Sequence, residues 1–206
     1  MAATVPGGAY RSLVASKLDD GERIHPVAVE EWRAWLHANH TRTEGVWLVG
    51  WRRRANRPSV PYEEAVEEAL CVGWIDSVAR TLDDDRSMQW FAPRKRGSVW
   101  ASSNKERVER LEREGRMTDA GRAVVERAKA DGTWSLLEPA ERLEVPGDLA
   151  VALGALPGAR EKWEASTPSS RRMALGDILL AKRPETRAKR IAAVADRVAR
   201  GDKPAG

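Results

Sequence analysis

Apolar residues recur along this chain with two different periods, and the change falls within residues 69–80, "ALCVGWIDSVAR". Before Gly73 the period is helical. Tyr62, Ala65, Val66, Ala69 and Leu70 share one stripe, and Pro61 has the fixed φ that suits a first turn. Glu63 and Glu64 lie where the helix dipole is positive, and Gly73 can end the helix in the left-handed conformation. After Gly73 the pattern alternates. Asp76, Val78, Arg80 and Leu82 are expected on one face of a strand over 75–82, Asp83–Asp85 supplies a turn, and "SMQWFAP" returns as a second strand over 87–93. A three-residue turn pairs Val78 with Trp90 and sets Asp76 opposite Ala92, near Arg94. A slip of one residue would carry every partner to the other face.

Upstream, Ala28, Trp32, Trp35 and Leu36 form another helical stripe, and "GVWLVGW" (45–51) reads as a strand ending at the basic cluster Arg52–Arg54. Downstream the chain reads as helices. Ser103 and Glu106 have the spacing of a capping box, Thr118 caps a helix running to Asp131, and Thr167 caps one that has Pro168 at its first position. Shorter helices are expected around 148–153 and 157–165. The last helix starts near Pro184 and buries Ile191, Val194, Ala195 and Val198. The fold class is therefore α+β, mostly helical: a small antiparallel sheet (strands near 45–51, 75–82 and 87–93) packed with helices, then a C-terminal helical region. The expected divisions are a flexible arm over 1–24, an α+β core with a candidate pocket over 25–132, a linker-like stretch over 133–147, and a helical region over 148–206 with a basic final helix.

Composition narrows the function classes. With 206 residues the chain can bury a core without covalent staples, and its single cysteine excludes an internal disulfide. No apolar run is long enough for a membrane span, and the N-terminus lacks a secretory apolar stretch, so a soluble cytoplasmic protein is expected. The net charge is +4, with eight Lys/Arg against three acids in residues 181–206. A basic tail of this kind can follow phosphates, or it can be the solvated face of a terminal helix. Nine tryptophans against two tyrosines and one phenylalanine suit core packing and ligand walls alike.

The candidate chemistry is concentrated in 71–104. Cys71, between Leu70 and Val72 and far in sequence from any histidine, reads as a small buried hydrophobe. Asp76 follows a Trp–Ile pair and needs a partner when buried. With Arg80 or Arg94 it forms either a salt bridge tying the hairpin together or a polar anchor capable of acid/base work. In "FAPRKRGSVWASSN" (91–104), arginines stand beside aromatic rings, a combination that can hold an anion or serve only to approach a helix. His37 and His40 lack the supporting ligands of a metal site, and no phosphate-loop or dinucleotide motif occurs, so neither metal nor cofactor is expected.

"EEWRAWLHANH", "GVWLVGWRRR", "YEEAVEEALCVGWIDS", "FAPRKRGSVWASSN", "VERLEREGRMTDAG" and "AKRPETRAKRI" occur in an order that resembles the YdeI/OmpD-associated (bacteriocin-protection) family over roughly residues 25–200. The resemblance places the characteristic motifs on Cys71, Gly73, Trp74, Asp76, Arg94, Ser98, Trp100 and Asn104. It implies a link to antimicrobial resistance and to an outer-membrane porin, and no reaction. The chain departs from the pattern at Pro61, where a capping Ser is usual, and at Ala101, where a second Ser often follows the Trp. The expectation is a stress- or antimicrobial-resistance protein that binds a small-molecule or peptide ligand between the hairpin and the following helix. Trp74, Trp90 and Trp100 would be its walls, Asp76 and Arg94 its anchors, and Arg80, Ser98 and Asn104 its other polar groups. Two alternatives stand beside it: an enzyme using Asp76 as acid/base, and nucleic-acid binding through the C-terminal helix and Arg52–Arg54. A protein partner is a further possibility.

Overall fold

The computed structural model describes Leu18 and residues 20–205. Most of the stretch expected as an N-terminal arm lies outside the described residues; within it, Arg23–Ile24 forms a short strand, β1. The chain then runs through α1 (Val29–Asn39), β2 (Val46–Trp51), a single 3-10 turn (Arg53–Ala55), α2 (Tyr62–Cys71), β3 (Trp74–Thr81) and β4 (Arg86–Pro93). The helices that follow are α3 (Ser102–Arg113), α4 (Asp119–Ala130), α5 (Glu138–Glu141), α6 (Gly147–Gly154), α7 (Ala159–Ala165), α8 (Pro168–Leu179) and α9 (Pro184–Arg200). The α+β, mostly helical class holds. The sheet has the order β1-β2-β4-β3 and is mixed, because β1 lies parallel to β2 while the other pairs are antiparallel. A two-residue strand carries too little pattern to be read from sequence.

Two compact units make up the chain, residues 1–96 with 106–127, and residues 97–105 with 128–206. In the first, α1 and α2 cover one face of the sheet. Trp32 of α1 is fully buried, lies 5.2 Å from the Phe91 ring, and donates its indole N–H to Ala65 O at 3.0 Å. A buried tryptophan needs such a partner for its one polar atom. On the opposite face Trp47, Val49 and Met88 form a small core with Leu18, Leu82 and Trp90 against it.

Gly73 has φ +83° and closes α2 as expected. Beyond α2, Thr118 Oγ1 accepts the Gly121 N–H at 3.2 Å, the expected cap of α4, and donates to Cys71 O at 2.7 Å, so one hydroxyl joins two helix ends. A Cβ on Gly121 would collide with the Cys71 carbonyl, which explains glycine at that position. The Ser103–Glu106 capping box does not form. The first helical bond of α3 runs from Lys105 N to Ala101 O, so Ala101 holds the cap position and Ser103 lies inside the helix. Spacing alone cannot fix which residue of a polar run begins the turn.

The second unit is helical. Leu149, Leu153, Trp163, Leu175, Ile178, Ile191, Val194, Ala195 and Val198 share its core, so the stripe read from the last helix points inward. Thr167 Oγ1 accepts from Ser170 N at 3.3 Å, and α8 starts on Pro168, both as expected. The linker-like stretch 133–147 contains α5, whose Ala140 is buried in the same core.

Candidate functional site

The hairpin decides where the candidate residues go. Next to the turn the pairing is the expected one: Thr81 opposite Ser87, Arg80 opposite Met88, Ala79 opposite Gln89. Beyond Ala79 the register shifts, and Asp76 pairs with Phe91 rather than Ala92. Ser77 and Val78 therefore stand against the single residue Trp90, which is a β-bulge. The expected Val78–Trp90 pair and the common face of Asp76 and Arg80 are both lost. Asp76 now shares a face with Gln89, Phe91 and Leu48, whereas Arg80 shares the other with Met88, Trp47 and Trp90. Arg80 lies over the Trp47 ring at 5.2 Å, and Trp47 meets Trp90 edge-on at 5.1 Å.

The remaining candidates separate further. Trp74 is fully buried, stands edge-on to Trp35 at 5.8 Å, and donates to His40 O at 3.2 Å. It is a core residue. Arg94 is 7% exposed, and burial pulls its guanidinium down to about 10 despite the opposing pull of the Asp76 carboxylate. Ser98, Trp100 and Asn104 belong to the second unit, where buried Trp100 packs on Trp134 at 4.9 Å. Of the eight candidates, Trp74, Asp76 and Arg94 lie in one neighbourhood of the first unit, Arg80 and Trp90 lie on the opposite sheet face, and Ser98, Trp100 and Asn104 belong to the second unit. Cys71 is buried, and burial, with Glu68 nearby, pushes its thiol up to about 11, which removes it as a nucleophile.

What the sequence did not reveal is a cleft of about 830 Å³ in the first unit. Its floor is the Asp76 face of the sheet, through Leu48, Gln89 and Phe91, and its wall is the chain from Arg52 to Tyr62 and Ala65 of α2. The local sequence builds that wall. Because β1 is two residues long, Trp51 N–H has no strand partner and is accepted by Ser59 Oγ at 3.1 Å. Gly50 makes room, since a Cβ there would stand 2.7 Å from the same Ser59 oxygen. Residues 52–58 form a loop closed onto the end of β2, and Arg57 of that loop stacks over Trp51 at 4.5 Å.

Asp76 supports the other end of the cleft. Its Oδ2 accepts from the Tyr62 hydroxyl at 2.8 Å and from Gln89 Nε2 at 3.3 Å, and both donors line the cleft. Burial first, and then the Asp76 carboxylate, raise the Tyr62 phenol to about 12, so it stays protonated and orients as a hydrogen-bonding group. Of the nine tryptophans only Trp51 lines this cleft, so the expected tryptophan walls are not its walls. In the sequence this wall is "WRRR" followed by "RPSVPY", where the basic cluster Arg52–Arg54 is expected as the end of a strand and as one part of a nucleic-acid-binding alternative.

In the C-terminal helix several cations are engaged locally. Arg187 grips Asp148 through two bonds of 2.7 and 3.0 Å, and Arg200 meets Asp202 at 3.2 Å. Among the described residues no helix is long and apolar enough to cross a membrane.

No curated protein and no solved structure matches the chain. Residues 24–124, which include every cleft residue and most of the motifs quoted above, match a family described as a domain of unknown function. Residues 142–201, which include "AKRPETRAKRI", match the family described as bacteriocin-protection, YdeI or OmpD-associated, so the resemblance read over 25–200 is shown for the C-terminal part. The C-terminal part of the chain is thus similar to the bacteriocin-protection, YdeI or OmpD-associated family, and the part that holds the cleft is similar to a domain of unknown function.

Proposed function

We propose that the chain is a ligand-binding protein of the antimicrobial-resistance type, holding a small or peptidic compound in the cleft of its first unit. The cleft carries this reading. Its volume of about 830 Å³ is that of sites for drug-sized molecules. Its floor is apolar at Leu48 and Phe91, with Gln89 and Tyr62 among the polar groups that would fix an orientation. Asp76 is a positioning residue here, reaching the cleft through those two donors. The family description at residues 142–201, bacteriocin protection, suggests the role: capture of a compound that would otherwise do harm.

The test is calorimetric titration of the full chain with antimicrobial peptides, hydrophobic antibiotics and small organic acids, beside a Ser87→Trp variant. Ser87 is exposed and lines the cleft, and a strand accepts tryptophan readily, so the ring fills the cleft without disturbing the core. Saturable binding that the variant loses is the expected result. Heats indistinguishable from dilution for every compound, with both proteins folded by circular dichroism, would remove the reading.

A further inference from the structure

The cleft is not electrically even, and its asymmetry points to the class of ligand. Arg52, Arg53 and Arg57 line it, and among the described residues its lining includes no carboxylate. None of the three is paired with an acid within the described residues: Arg52 donates to Thr81 Oγ1 at 2.7 Å, Arg57 rests on Trp51 at 4.5 Å, and the nearby ion pair of Asp85 belongs to Arg54. The loop closure at Ser59 keeps these arginines beside the Gly50–Ser87 row of the sheet. Further along the strands, Leu48 (opposite Gln89) and then Phe91 (opposite Val46) make the floor apolar, and Asp76 stands at that far row opposite Phe91. Four residues of strand separate the first row from the last, roughly 13 Å. A molecule lying along the strands would therefore meet three guanidinium groups at one end, an apolar floor in the middle, and the Tyr62–Asp76 pair at the other.

We infer that the ligand is an amphipathic anion: a carboxylate, sulfate or phosphate head at Arg52, Arg53 and Arg57, with an apolar body over Leu48 and Phe91. The inference rests on the binding reading above and deepens it. Guanidinium forks match oxyanions in two-bond geometry. At the far end the Asp76 carboxylate and the nearby Arg94 guanidinium offset one another, so the positive charge that sets the direction is that of Arg52, Arg53 and Arg57.

The experiment is calorimetry of the full chain with decanoate, decyl phosphate, decyl maltoside and decyltrimethylammonium, each below its micelle concentration, and with inorganic phosphate alone. The same set is applied to an Arg53→Gln/Arg57→Gln variant, whose changes are confined to exposed positions. Decanoate and decyl phosphate are expected to bind roughly tenfold or more tightly than the neutral and cationic amphiphiles. The variant is expected to lose that preference and keep its affinity for decyl maltoside. Equal affinity for all four amphiphiles would overturn the anion inference and leave the binding reading standing; no binding by any of them would overturn both. Inorganic phosphate binding as tightly as decyl phosphate would overturn the amphipathic part. Flotation with phosphatidylcholine vesicles containing phosphatidylglycerol separates a bilayer headgroup from a free amphiphile: capture by vesicles without binding of the monomeric anions would overturn the pocket assignment.

Discussion

Replacing Glu68 by Gln tests how the helix that walls the cleft is held. Glu68 on α2 is 3% exposed and accepts from Arg33 through two bonds of 2.9 and 2.7 Å, and from Arg116 Nη2 at 2.8 Å. Each charge-assisted bond of this kind contributes about 1.5–3 kcal/mol net where its partners are well sheltered. Here solvent competes. The side chains of Arg33 and Arg116 are 45% and 32% exposed, so both recover water when the carboxylate goes, and Arg116 retains Glu67 and Glu114. A glutamine keeps one acceptor oxygen but turns its amide donors toward a guanidinium. The net cost should be about 2–3 kcal/mol, below the full penalty for breaking a buried pair. The pH dependence gives an independent check. Burial alone would raise the Glu68 carboxyl, but the hydrogen bonds from Arg33 and Arg116 outweigh it and hold the group below its usual 4.5. A depressed carboxyl stabilises the fold above the unfolded value and loses that contribution as pH falls through the folded one. Urea unfolding at neutral pH should separate the two proteins, and the gap should close as pH falls below 4.5. A loss under about 0.5 kcal/mol at neutral pH would show that the network carries none of the load assigned to it.

Two shorter predictions follow from the same end of α2. Gly121→Ala should cost about 2 kcal/mol or more in a thermal melt, because the methyl meets a backbone carbonyl, which cannot swing aside as a side chain would. Cys71, buried and with its thiol raised to about 11, should resist alkylation in the native protein at mildly alkaline pH and react on unfolding. Rapid labelling of folded protein would contradict the placement of that residue in the core.

The sequence by itself determined the elements whose cause is local. The helical stripe of residues 62–71, the left-handed glycine at 73, the caps at Thr118 and Thr167, and the apolar face of the last helix follow from periodicity, a glycine with no Cβ, and a hydroxyl beside an orphan amide. The register next to the Asp83–Asp85 turn followed as well, since loop length fixes it. Only the tertiary structure decided what lies beyond the bulge. One extra residue at Ser77–Val78 put Asp76 on the cleft face and sent Arg80 and Trp90 to the other, and no local pattern announces a bulge that cross-strand packing selects. The cleft has the same origin. Its arginines, its apolar floor and the Tyr62–Asp76 pair come from three strands, a loop and a helix far apart in sequence, and they meet because Ser59 satisfies an amide that a two-residue strand leaves open.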